Sequence, residues 1–279
     1  QVMEKLLQKL SEGLSPWHIN AFISCSLKYY FNQIAEIGNS IVVEESLGAD
    51  KFGSIIHEIL EDIYRELSAK HKEIQPRHIE SELPSVQGRV NEKFLKEEYA
   101  NYLLTGSNYI TKKLTKNFVT NFLNNQIKEA KDNGVPFEIL SLENKNRWEE
   151  PHEAFSPVLS TKFEADVNGQ SVNVKVKGIT DRIDKIGEKV RIIDYKTGLV
   201  EKKDVKLSND DLERLVSDTK ADKVRQLWLY KYILSKLIIE KGEYYIGDYK
   251  LTDKEPISAG IYSLRNLKEG LLELKSTVK

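Results

Sequence analysis

The sequence predicts an α/β fold: a mixed β-sheet flanked by helices, with a helical elaboration at the N-terminal end. Three observations lead there. Apolar residues recur at helical spacing through the first half of the chain. After Pro136 the texture changes to short apolar runs punctuated by turn residues, among them Asn168-Gly169. A long helical pattern over 221–241 is followed by further strand candidates, and interleaved helices and strands make a layered sheet.

Residues 1–13 read as a linker or the tail of an upstream domain, with a short helix over 1–12. The unit 14–279 reads as one domain, mainly helical over 14–135 and with its sheet core over 136–279. Ser15 is suited to cap a helix and Pro16 to begin it, and apolar residues then run from Trp17 through Ile23 to Phe31. Phe52-Gly53-Ser54 precedes a helix carrying Ile55, Ile56, Ile59, Leu60, Ile63 and Leu67. Two more helices are predicted over 76–104 and 108–132, stopped by Gly134-Val135-Pro136.

Phe137–Leu142 is a strand candidate. Val158–Val167 and Ser171–Asp184 flank the Asn-Gly turn as a hairpin. A second turn around Gly187 leads into Val190–Tyr195, where the adjacent apolar Ile192 and Ile193 predict burial on both faces. Residues 199–221 read as a polar loop with one helical turn. Tyr244–Tyr249 and Ile257–Leu264 read as closing strands, and the last dozen residues as a helix.

With 279 residues, 40% of them hydrophobic, the chain can bury a core without staples. Its one cysteine, Cys25, excludes an internal disulfide and an all-cysteine cluster, and suits a reducing cytoplasm. No apolar run approaches the roughly 20 residues that cross a bilayer, so no membrane partner is expected. The first residue is Gln1 and not Met, which reads as a processed chain or a segment of a longer polypeptide. A formal net charge of −1 excludes a nucleic-acid binder that works by overall positive charge. Any such contact must come from a local patch, a bound metal or a partner domain.

The chemistry concentrates in two neighbouring segments. In Gly178-Ile179-Thr180-Asp181-Arg182-Ile183-Asp184 and Ile193-Asp194-Tyr195-Lys196-Thr197-Gly198, adjacent antiparallel strands bring Asp181 beside Asp194. Period-two alternation puts Lys196 on the face of Asp194 and sends Tyr195 the other way. Two carboxylates 4 Å apart repel by about 4 kcal/mol at an effective dielectric near 20, and both repel a phosphate. A divalent cation reverses this, and can make its bound water a nucleophile for phosphodiester hydrolysis. Lys196 would orient or deprotonate that water, and the Tyr195 backbone carbonyl would add a ligand. Alone, Asp194-x-Lys196 also suits a surface ion pair. His57 alone suits a solvated helical histidine, and Gln226 with Tyr230, four residues apart, suits an amphipathic helix.

These segments resemble the second and third motifs of the PD-(D/E)xK nuclease superfamily, in its RecB- and AddB-like branch. Phe52-Gly53-Ser54-Ile55-Ile56-His57-Glu58 is similar to the helical histidine motif of that branch, and Gln226-Leu227-Trp228-Leu229-Tyr230 to its Q-x-x-x-Y motif. Leu14-Ser15-Pro16 through Phe31 resembles its opening motif, with Ser26 where proline is usual. The resemblance implies a restriction-endonuclease-like sheet. It implies His57, Asp181, Asp194 and the Tyr195 carbonyl as ligands of Mg2+ (or Mn2+), and Lys196 as catalytic with Asp181 and Asp194. Gln226 and Tyr230 would position substrate or the lysine, and Glu143 would be accessory.

The implied function is metal-dependent DNA hydrolysis within a helicase-nuclease recombination or repair protein. DNA and an upstream helicase-like domain or subunit are the implied partners. Some AddB-type members carry an iron–sulfur cluster on four cysteines; with Cys25 alone, none is expected here. A catalytically silent DNA-binding or scaffolding domain is the competing reading. His18, His71, His78 and His152 have no partner at metal-ligand spacing. Trp17, Trp148 and Trp228 read as core or interface residues.

Overall fold

The structure is a computed structural model, and it describes residues 2–37, 47–96, 106–143, 158–207 and 213–276. The N-terminal helices are α1 (Val2–Glu12), α2 (Pro16–Ser24), α3 (Ser26–Tyr29), α4 (Ala49–Lys70), α5 (Pro76–Glu82), α6 (Val86–Leu95) and α7 (Gly106–Asn133). Ser15 caps α2 as predicted. Its hydroxyl accepts from the His18 N–H, and its own backbone N–H donates to His18 Nδ1 at 3.3 Å, so His18 completes a capping box. The predicted run to Phe31 is interrupted at Cys25, whose extended backbone ends α2 and whose sulfur caps α3.

Two further helices differ from expectation. Helix α4 starts at Ala49, so Gly53 lies inside it, not ahead of it. The predicted helix over 76–104 is split at Leu83–Ser85, where Pro84 lacks the N–H a continuous helix needs. Its portion from 97 to 104 lies outside the described residues, as do Trp148 and His152.

The central sheet has five strands in the order β1 (Phe137–Leu142), β4 (Arg182–Ile186), β5 (Lys189–Lys196), β9 (Ile257–Ser263) and β10 (Leu271–Glu273). It is mixed: β5 and β9 are parallel and the other pairs antiparallel. The parallel crossover is supplied by α9 (Asp222–Lys241), which follows the short α8 (Arg214–Ser217) and ends at Gly242 in the left-handed conformation. Alternation along β5 divides the core. Ile193 and Tyr195 pack with Ile56, Ile59 and Phe122 of α4 and α7. Val190 and Ile192 pack with Leu227, Ile233 and Leu234 of α9. Burial of both faces is what the adjacent Ile192 and Ile193 predicted.

Strands β2 (Val158–Val167) and β3 (Gln170–Ile179) form a separate two-stranded hairpin. Asn168 (φ 54°) and Gly169 (φ 80°) make its turn, as predicted. The predicted single strand to Asp184 breaks at Thr180-Asp181, where the chain leaves this hairpin and joins the central sheet as β4. A short β6 (Lys206–Leu207) lies beyond the β5 loop.

Tyr244–Tyr249 is two strands, β7 (Tyr244–Ile246) and β8 (Tyr249–Leu251), because Gly247 (φ 56°) turns the chain between them. The predicted C-terminal helix is absent from the described residues. Gly270 (φ 63°) ends a single turn, and Leu271–Glu273 adds to the edge of β9 as β10. Lys275–Ser276 (β11) pairs with β6. Among the described residues no helix is long and apolar enough to cross a membrane.

Candidate active site

The candidate site forms where the end of β5 meets the beginnings of α4 and α9. Asp181 occupies the break before β4, whose first residue Arg182 pairs with Ile193. Its carboxylate is held twice. The Tyr195 N–H donates to Oδ2 at 2.6 Å, and His57 Nδ1 of α4 lies 3.3 Å from Oδ1. Glu143, just after β1, donates its N–H to the Asp181 carbonyl at 3.0 Å, and its own carbonyl accepts from Arg65 of α4 at 3.3 Å. His57, Glu143 and Asp181 thus each present a ligand atom within 4.8 Å of the others. Ligands around one magnesium ion, at 2.0–2.1 Å each, stand up to roughly 4.2 Å apart. Two carboxylates and one imidazole with that spacing fit a divalent cation after a small contraction.

Asp194 stands on the other side of this trio, facing α9. Gln226 donates Nε2–H to its Oδ1 at 2.8 Å, and Lys196 Nζ lies 2.9 Å from its Oδ2. The ligand atoms within 4.8 Å of one another are those of His57, Asp181 and Glu143, with Asp194 in the same cleft. The sequence reading paired the first two with Asp194 and gave Glu143 only an accessory part. The alternation that puts Lys196 beside Asp194 also turns both toward α9, while the buried Tyr195 ring faces Phe122 and Tyr262.

Gln226 reaches Tyr230 as well, donating to its hydroxyl at 2.8 Å, so the two residues one helical turn apart act as a unit. Gly178 on β3 makes room for them. A β-carbon there would sit within 2.5 Å of two Tyr230 ring carbons.

Burial opposes the charge of His57, but the Asp181 carboxylate outweighs it and holds the imidazole above its ordinary range. Burial likewise works to raise Asp181, and the His57 charge and hydrogen bond together with the Tyr195 N–H bring it below the usual carboxylate range. Asp194 is pushed up, by burial first and by the neighbouring Asp181 charge, against the pull of Lys196. Burial disfavours the Lys196 ammonium, yet Asp194 and Asp181 more than compensate and raise it. Lys196 is therefore an ammonium at neutral pH.

These groups line an open cleft of about 800 Å3, whose rim includes Trp17, Asp50, Ser54, Thr197 and Lys223. Trp17 is not a core residue: it is 59% exposed at the cleft mouth. Trp228 is half-buried and stacks on Tyr232. The loop after Lys196 is fastened from β9. Ser263 donates to the Gly198 carbonyl and accepts the Val200 N–H, each at 3.0 Å, and Asn266 donates to the Val200 carbonyl at 3.2 Å. Sequence reasoning missed Ser263, Asn266 and Arg65. None lies in a motif, and only the register Lys196↔Ser263 places Ser263 at the site.

Behind the site Arg182 is fully buried over the Tyr64 and Phe137 rings, 4.7 and 5.3 Å from their centroids. It pairs with Asp184 at 3.0 Å and donates to Gln126 of α7 at 3.0 Å. Asp184 also takes a two-pronged contact from Arg191 at 2.7 and 2.9 Å, and Arg191 reaches Glu129 of α7 at 3.1 Å. This interior pairs the buried charges and ties β4 and β5 to α7, while Arg182 Nε and Nη1 make no hydrogen bond of their own.

No match to a curated protein was found. The family model described as the PD-(D/E)XK nuclease superfamily matches residues 13–273. Nucleases of that superfamily use divalent metal ions, for which the grouping of His57, Glu143 and Asp181 is suited. The chain belongs to the PD-(D/E)XK nuclease superfamily.

Proposed function

We propose that the chain is a Mg2+- or Mn2+-dependent deoxyribonuclease that hydrolyses phosphodiester bonds in the cleft between α4 and α9. The observation that carries this reading is the convergence of His57, Glu143 and Asp181 beside the Asp194–Lys196 pair. His57, Asp181 and Glu143 would hold the ion, with Asp194 and the Tyr195 carbonyl completing its surroundings. When bound, the cation supplies charge neutralisation at the phosphate and a more acidic water.

The chain's own groups then divide the work. Lys196, 2.9 Å from Asp194, offers a proton donor and a positive charge to the phosphate and would orient or deprotonate the attacking water. Gln226 fixes Asp194 through one amide hydrogen and Tyr230 through the other. Trp17, 59% exposed and lining the cleft, offers an indole on which an unpaired base can stack. The motif resemblance supports placement in a RecB- or AddB-like helicase-nuclease that serves recombination or repair.

Purified protein should cut DNA when magnesium or manganese is added and stop when the metal is chelated. Lys196→Ala should cut at least about 100-fold more slowly, the usual scale for losing one positioned electrostatic group. Equal cutting by wild type and variant would remove the reading and favour a silent DNA-binding domain.

A further inference from the structure

We infer that a second surface, the groove between α6 and the first half of α7, holds the phosphodiester backbone of the nucleic acid being cut, away from the scissile bond. The inference rests on the nuclease reading above. Residues 106–127 carry Lys112, Lys113 and Lys116 and no aspartate or glutamate. Tyr109, Lys112, Lys113, Lys116 and Asn117 fall at spacings of three and four, so they share one helix face.

With Gln87 and Asn91 of α6 these residues line a groove of about 500 Å3. Three ammonium groups, three carboxamides and a phenol face it, and among the described residues no carboxylate does. Several other lysines on and beside these helices are neutralised: Lys93 and Lys96 by Glu58 and Asp62, Lys131 by Glu80. Among the described residues Lys112, Lys113 and Lys116 make no ion pair. Lys113 lies 4.7 Å from the Tyr109 ring centroid and Lys112 5.9 Å from that of Phe94, contacts that steady the side chains and keep their charge.

The chain's overall charge is −1, so this is a local concentration of positive potential and not a share of a basic surface. Its chemistry suits a row of phosphates: point charges for the anionic oxygens and amide N–H groups for the bridging ones, without a fixed base-reading geometry. From Tyr109 to Lys116 the helix rises about 10 Å, close to three stacked nucleotides at 3.4 Å each. The groove is also next to the cleft wall. Phe118 of α7 packs edge-on against Phe52 of α4 at 5.5 Å, and the Leu47 N–H donates to Asn108 of α7. Ala49, Asp50, Gly53 and Ser54 of the same α4 end line the cleft.

The test compares wild type with the exposed pair Lys113→Gln/Lys116→Gln and with the triple variant adding Lys112→Gln. Fluorescence anisotropy follows binding of a long single strand, the matching duplex and poly-glutamate in EDTA, across a salt series. Each lysine that neutralises a phosphate contributes about 0.7 to 0.9 to the slope of log affinity against log salt. The triple variant should lower that slope by about 2 to 3 on nucleic acid. The arm that falls further, single strand or duplex, identifies the form held. Metal-dependent cutting of an oligonucleotide no longer than the cleft should stay at the wild-type rate.

An unchanged salt slope on both nucleic acids, or an equal loss on poly-glutamate, overturns the groove assignment. So does failure of the wild type to bind either long DNA. Loss of cutting on the short oligonucleotide by the wild type itself overturns the nuclease reading instead, so the two failures are told apart.

Discussion

Gly178→Ala is a one-carbon perturbation aimed at the unit formed by Gln226 and Tyr230. The new β-carbon would lie within 2.5 Å of two Tyr230 ring carbons, against an ordinary contact of 3.5–4.0 Å. The ring must therefore move by about 1 Å or more. Tyr230 is 3% exposed, so it has little free space to move into, and the overpacking should cost about 1–3 kcal/mol. For a chain of this size that is a fall in melting temperature of roughly 2–4 °C per kcal/mol. Moving the ring also pulls on Gln226, which holds Asp194 at 2.8 Å. A shift of that size in a positioned group can slow turnover by on the order of 100-fold. Differential scanning fluorimetry and cleavage kinetics read the two effects. In a Tyr230→Ala background the added methyl should become nearly neutral, because the clashing ring is gone. Wild-type stability and turnover for Gly178→Ala, or the same penalty with and without Tyr230, would refute the close-approach argument.

Other predictions concern the metal donors and the cleft mouth. Glu143→Gln should weaken manganese binding in calorimetry by at least about 10-fold, as loss of a ligand or of its close support does; wild-type affinity would return Glu143 to an accessory part. His57 is held above its ordinary 6.5 in the metal-free fold, so it binds more protons folded than unfolded around that pH. Its contribution is fully present below about 6.5 and is lost as pH rises through the folded value. The melting temperature in EDTA should therefore decline over that interval in wild type and decline less in His57→Gln. Manganese affinity should rise over the same interval, because the imidazole must shed its proton to bind. Trp17→Ala, at a 59% exposed position, should leave stability within about 0.5 kcal/mol and raise KM for single strands by roughly 5- to 150-fold, the stacking of one base, with less effect on duplex.

What could be read from sequence was what is local. The Asn168-Gly169 turn, the Ser15-Pro16 helix start and the both-faces burial of β5 depend on neighbours in the chain, and each is found in the fold. The motif residues His57, Asp181, Asp194, Lys196, Gln226 and Tyr230 line one cleft although they come from segments far apart in the chain; the motifs they form, and not local periodicity, made them legible. What was not legible came from pairing between distant segments. Glu143 reaches the site because β1 pairs with β4, and Ser263 because β9 lies parallel to β5. The C-terminal residues read as a helix, since nothing local reveals the free edge of β9 that takes them as a strand. Trp17 reads from sequence as a core or interface residue, and α2 places it, 59% exposed, on the cleft.

Helix α7 has 28 residues and so extends for about 42 Å. Near its start lie the lysines of the groove. Toward its end Gln126 and Glu129 are bonded to Arg182 and Arg191 of the strands that carry Asp181 and Asp194. A rod anchored this way cannot roll about its axis or slide without breaking those bonds, so tension on a strand gripped at one end is borne by the sheet itself. The distance between grip and scissors is then set like the jaws of a vernier, by a rigid part of the molecule and not by a loop.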